Sequence, residues 1–155
     1  MGSGETEYDQ AMAMNGALGG LAGITANCSV DELWAALLIG IGSGLVYVLS
    51  SKLLVKVKID DAVYAIPVHF FNDMCGCIAT GLFASPVHTG LAYGNSKQVG
   101  LFYGSGSLIA VELSGVAFTI ALTAGIMTPF FLILNALGMF TVDTLEEKLF
   151  GYSAS

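Results

Sequence analysis

The chain has 155 residues, 55% of them hydrophobic and 11% charged, with a formal net charge of −7 and a mean hydropathy of +0.76. A soluble globule carries roughly 25% charged residues, so that class is excluded and an all-α integral membrane protein is indicated. The negative charge sits on termini and loops, makes no case for anionic lipid, and leaves no reason to expect nucleic acid as a partner.

Residues 1–9 read as a polar N-terminal segment. Gly2-Ser3-Gly4-Glu5 lacks the positive n-region of a signal peptide. Charge-free runs then mark the spans: Ala11–Val30, Leu33–Ser51 and Leu113–Val142 contain no charged residue. The stretch Ala62–Ser96 contains only Asp73 and two histidines. A membrane-crossing helix needs roughly 20 mainly apolar residues, which gives four spans at about 10–27, 33–55, 62–84 and 107–137. Residues 10–138 thus form a transmembrane region, and 139–155 a cytoplasmic tail.

The first span holds Asn15 and the glycine pairs Gly16/Gly20 and Gly19/Gly23. The second holds Gly40/Gly44. Small residues four apart let helix backbones approach closely in lipid, so both helices are expected to pack against others. Asn15 reads as a hydrogen-bonding residue of a helix contact or a vestibule. Trp34, Tyr93 and Tyr103 read as interface residues without chemistry. Lys52, Lys56 and Lys58 follow the second span and Lys148 the fourth, whereas Lys97 stands alone between the third and fourth. The positive-inside rule places both termini and the 52–60 loop in the cytoplasm.

The third span opens on Asp60-Asp61, which suit the amide-rich, positive end of a helix. Pro67 removes an amide and clashes with the Val63 carbonyl, loosening the helix just before His69. An ionisable residue inside a membrane helix marks a pathway or a partner by default. The ring of His69 either exchanges a proton with a passing substrate or ties two helices together. Asp73, four residues on, lies on the same face of a regular helix, so an Asp73–His69 pair is expected. Cys75 and Cys77 point to different faces and suit neither a disulfide nor a metal; no metal and no cofactor are expected. The fourth span, 31 residues long, would measure about 46 Å against a hydrocarbon core of roughly 30 Å. It must tilt, kink at Pro129 or project from the bilayer.

Several strings together resemble the Amt/Mep/Rh ammonium transporters: Asn15-Gly16-Ala17-Leu18, Gly23-Ile24-Thr25-Ala26-Asn27-Cys28, Asp60-Asp61 leading to Ile66-Pro67-Val68-His69, and Gly76 to Ala84. Leu101-Phe102-Tyr103-Gly104 and the stretch from Val142-Asp143 to Glu146-Glu147 are similar to that family's outer loop and tail. The similarity runs in register from about Tyr8 to Glu147. It implies a four-helix partial copy of an eleven-helix fold, the last four helices, which in the full-length parent forms a homotrimer. It also implies that ammonium or ammonia crosses a hydrophobic channel containing two facing histidines. His69 matches the second histidine, Ala65 an apolar pore-wall position, Asn15 and Thr25 the pore-facing side of their helix, and Asp61 the acidic position opening its helix. The family usually follows the histidine with small residues and glycine, where this chain has Phe70-Phe71-Asn72-Asp73, and Thr141 stands where the tail usually carries arginine.

The resulting expectation is ammonium transport across a membrane, the plasma membrane in the first instance, by a multi-pass protein that is not an enzyme. Asp61, Pro67 and Asp73 would shape or tune the path, and a soluble regulatory protein could dock on the tail. The alternative is a non-transporting subunit or degenerate fragment associating with full-length ammonium transporters. A haem site through His69 and His88 is disfavoured, since one lies within a span and the other in a loop.

Overall fold

The computed structural model describes residues 3–139, with the backbone alone for 3–9. Among these residues every regular element is helical and none is a strand. Helix α1 (Ser3–Thr25) begins ahead of the apolar run that hydropathy picks out. No proline interrupts its polar first turns, and hydropathy marks what is greasy rather than where a helix starts. A tight turn follows, in which the Asn27 carbonyl accepts from the amides of Val30 and Asp31, both at 3.0 Å. Helix α2 (Leu33–Val57) ends at Lys58, whose left-handed φ of 58° lets the amides of Lys58 and Ile59 reach the last-turn carbonyls.

The next helical stretch starts at Ala65, not near residue 62, because Tyr64 also takes a left-handed φ of 55°. It opens as a π-helical turn (Ile66–Phe71) and continues as α3 (Asn72–Phe83). The segment read as an outer loop contains a further helix, α4 (Pro86–Tyr93). Its limits follow the usual asymmetry of proline in the first turn and glycine past the last: Pro86 needs no amide partner there, and Gly94 closes the helix at φ 67°. A 3₁₀ turn (Leu101–Tyr103) precedes α5 (Ser107–Ala136).

The chain divides into two units, Met1–Val116 and Ala117–Ser155. In the first, α1, α2, the π turn and α3 pack on one another. The junction is built from small residues. An added Cβ on Gly76 would overlap the Gly23 carbonyl, one on Gly23 would overlap Ser43 Oγ, and one on Gly19 would overlap Asn72 Nδ2. Gly81 admits the first turn of α5, with Ile109 Cα 2.6 Å from where a Cβ would stand. Of the glycine pairs, Gly19/Gly23 is therefore in use. A Cβ on Gly40 or Gly44 would meet no atom within 4 Å, although the Gly40 carbonyl lies 3.9 Å from where a Gly20 Cβ would stand.

In the second unit the described residues continue α5 through Pro129 without interruption. The helix stops at Gly138, φ 70°, where the Met139 amide donates back to the Leu134 carbonyl at 3.0 Å. No residue of α5 is buried. The tail expected after Met139, including Thr141 and the Val142–Glu147 stretch, lies outside the described residues. Helices α2 and α5 are each long and apolar enough to cross a bilayer.

Replacing Gly76 by Ala pushes a methyl into backbone, which cannot rotate away, and is expected to destabilise the chain by about 1–3 kcal/mol. Gly44→Ala, in open space and mid-helix, is expected to be neutral or to stabilise by up to about 1 kcal/mol. Thermal unfolding of the two variants in detergent checks the contrast.

Candidate functional site

The chemistry-bearing turn is assembled by one carboxylate. Asp61 Oδ1 accepts from the Ala65 amide at 3.0 Å, and Oδ2 accepts from the Ile66 amide at 2.8 Å. Two of the four free amides that open any helix are satisfied at once, and the negative group sits at the positive end of the dipole. Asp60 is exposed; the cap belongs to its neighbour. Pro67, fully buried, has no amide to give, and the helix widens into the π turn at that point. Such turns are rare and concentrate at functional sites.

Asn72 closes this turn: its Nδ2 donates to the Pro67 carbonyl at 3.0 Å, while its backbone amide donates to the His69 carbonyl. Asn72 is 0% exposed and its Oδ1 has no hydrogen-bond partner among the described residues. Tyr47 of α2 lies beside it, packing its ring against Tyr64 at 6.3 Å between centroids. The Tyr47 hydroxyl is likewise buried without a partner.

His69 sits on the opposite, exposed side of this turn. Among the described residues its ring makes no hydrogen bond or ion pair, and none joins it to Asp73, which is also exposed. The expected pair is therefore not formed among the described residues, and His69 stands in a π turn rather than in the regular helix that the expectation assumed. Asp61, Ala65, Pro67 and His69 are thus brought into one turn. Asn15 and Thr25 stand on α1 to either side of Gly19 and Gly23, the glycines on which this turn packs. Neither bonds to His69, and the Thr25 hydroxyl donates to its own helix at Ala22, 2.6 Å away.

The sequence reading missed a second polar centre. Glu32 accepts from Trp34 Nε1 (3.1 Å), Ser85 Oγ (3.2 Å) and the Tyr103 hydroxyl (3.4 Å), joining the α1–α2 turn to the ends of α3 and of the following loop. The Ser85 amide also donates to the Val30 carbonyl at 2.8 Å. Trp34 packs edge-on against Phe83, which stacks on Phe102 at 5.1 Å. A carboxylate two residues before a tryptophan was the available signal. Next to it, Asp31 has both carboxylate oxygens buried and unpartnered. Burial alone raises its pKa from 3.8 to about 7. A cavity of about 300 Å³ opens nearby, lined by Val30, Thr89, Tyr93, Gln98 and Glu112 among others. Another of about 200 Å³ lies between α2 and α3, at Ser43, Cys75 and Ala79. His69 lines neither. Among the described residues, no group of three His, Cys, Asp or Glu side chains could hold a metal ion.

A sequence model described as the Ammonium Transporter Family matches residues 5–150. The chain is 35% identical over 135 residues to Ammonium transporter 1 member 2 of Oryza sativa subsp. japonica, covering 86% of this chain and 27% of that protein. It is 36% identical over 149 residues to Ammonium transporter 1 member 3 of Solanum lycopersicum, covering 90% and 32%. A shorter match to a Synechocystis sp. protein named putative ammonium transporter sll1017 reaches 46% over 76 residues, 49% of this chain and 17% of that one. The chain spans roughly a quarter to a third of the length of the two plant relatives.

Asp31 carries a pH prediction. Below the unfolded value of 3.8 the carboxyl is neutral folded or unfolded, and its burial costs least. Between 3.8 and about 7 only the unfolded form ionises, so stability falls as pH rises through that window and levels off above it. Thermal unfolding between pH 4 and 8 should show that decline, and Asp31→Asn should flatten it by a few degrees in midpoint at the alkaline end.

Proposed function

We propose, from the premise that this chain belongs to the ammonium transporter family, that it supplies four membrane helices and one pore imidazole to an ammonium path. The family consists of transporters, not enzymes, and the helical, apolar chain is consistent with its membrane fold. The observation that carries the proposal is the setting of His69. The ring stands on the open side of a π turn whose other side is locked by Asp61 and Asn72. Among the described residues the ring forms no hydrogen bond to a neighbouring helix.

In this reading ammonium loses water and a proton on passing into a dry channel. The imidazole then serves as hydrogen-bond partner of neutral ammonia or as relay for the proton. Ala65, one turn earlier, forms apolar wall. Asn15 and Thr25 border the same path from α1. Pro67 makes the wide turn that projects the ring. Asp61 acts through the backbone, since both its oxygens are committed to amides, and Asp73 contributes negative charge from the exposed side rather than by direct contact.

The remaining assignments follow the family pattern: a homotrimer of eleven-helix subunits in the plasma membrane, multi-pass, with both ends of this segment cytoplasmic. A soluble regulator docking on the tail belongs to the same proposal. Growth of an ammonium-uptake-deficient strain at low external ammonium is the test. His69→Ala in the full protein is expected to lower uptake at least about tenfold, equivalent to roughly 1.4 kcal/mol at the barrier, with membrane insertion unchanged. Unaltered uptake in that variant removes His69 from the path.

A further inference from the structure

We infer that Asn72 is a positioning residue for His69, a wedge that fixes the π turn from its buried side and so sets the direction of the imidazole. The inference rests on the reading of His69 as a path-lining residue and adds a side chain that this reading does not contain. Four observations converge on it.

First, Asn72 closes the turn at two points, with its side chain on the Pro67 carbonyl at 3.0 Å and its backbone amide on the carbonyl of His69 itself. Second, it is fully buried at the meeting point of three elements. Gly19 has no room for a Cβ beside the Asn72 Nδ2 and borders Tyr47, and the Asn72 carbonyl lies 3.6 Å from where a Gly23 Cβ would stand. Third, the Asn72 amide, which an unbroken π pattern would aim at the Pro67 carbonyl, goes to His69 instead, and the side-chain Nδ2 takes the Pro67 carbonyl. An unpaired carbonyl in a buried, water-poor junction costs about 1–3 kcal/mol, so the amide favours the wide turn over a regular one. Fourth, the Asn72 Oδ1 remains buried and unpartnered. That cost is accepted only where the Nδ2 bond and the shape of the side chain are needed.

Without the wedge, the stretch from Ile66 to Phe71 is free to relax to 3.6 residues per turn, and the ring would swing with it.

The test is nuclear magnetic resonance on the isotope-labelled chain in lipid nanodiscs. The chain has two histidines, so a His88→Gln background leaves His69 as the sole imidazole. In Asn72→Ala, the ring resonances of His69 are expected to move and broaden, and the Phe70–Asn72 amides to exchange at least about tenfold faster than in the parent. Gly19→Ala pushes on the Nδ2 without altering Asn72 and is expected to shift the ring in the same direction. Gly44→Ala, in open space, should leave it in place. If Asn72→Ala fails to fold, the comparison of Gly19→Ala with Gly44→Ala decides alone. A ring signal that is unmoved in Asn72→Ala and Gly19→Ala overturns the positioning role, even where ammonium uptake persists. A shifted ring in a protein that moves no ammonium upholds the role and removes the transport reading instead.

Discussion

The structure depends on one close approach, backbone to backbone, between Gly23 of α1 and Gly76 of α3. Lipid tails are as apolar as leucine, so helices in a bilayer gain little by hiding large side chains from it; small residues and polar contacts hold them together instead. The buried positions mix apolar and polar side chains: Ile39, Tyr47, Leu54 and Val68 are inside together with Asn27, Ser43, Ser50, Asn72, Thr80, Ser85 and Thr89.

Because α1 and α3 touch at glycine, the side chain one turn earlier on the π–α3 stretch has to fit a narrow slot, and Asn72 occupies it. Its polarity is what the slot demands. A leucine would fill the space yet leave the Pro67 carbonyl unsatisfied, and an alanine would leave both a void and an orphan acceptor. Pro67, Asn72 and the two glycines of α1 are in this sense a single device: the proline opens the turn, the amide repairs it, and the glycines make room for the repair.

Much of this was legible in the sequence, and the gaps have identifiable causes. The Gly19/Gly23 spacing announced close packing, and Asp61 before a proline-containing helix announced a cap whose two hydrogen bonds are now visible. Gly40/Gly44 carry the same spacing, yet a Cβ on either would meet nothing within 4 Å, since spacing reports a capacity for close contact, not its use. The π turn was invisible because periodicity arguments assume a constant pitch. Asn72 was noted only as a departure from small residues, although a polar side chain five positions after a proline is the trace of a repaired carbonyl. Helix α4 was hidden by its brevity. The Glu32 centre joins residues 53 and 71 positions apart, a separation that no local pattern reports.

The two carboxyls at the α1–α2 turn show why position outweighs composition. Glu32 gathers three donors from Trp34, Ser85 and Tyr103, whereas its neighbour Asp31 is buried with none. One therefore has the partners that favour its charge, and the other is pushed toward neutrality by desolvation. The consequence reaches the imidazole helix, because the Val30 carbonyl and Glu32 bind Ser85, the residue just past the end of α3. That helix is accordingly held at its start by Asp61, along its packed side by Asn72 and beyond its end by the Ser85 junction. Among the described residues, the side left without a partner is the one that bears His69.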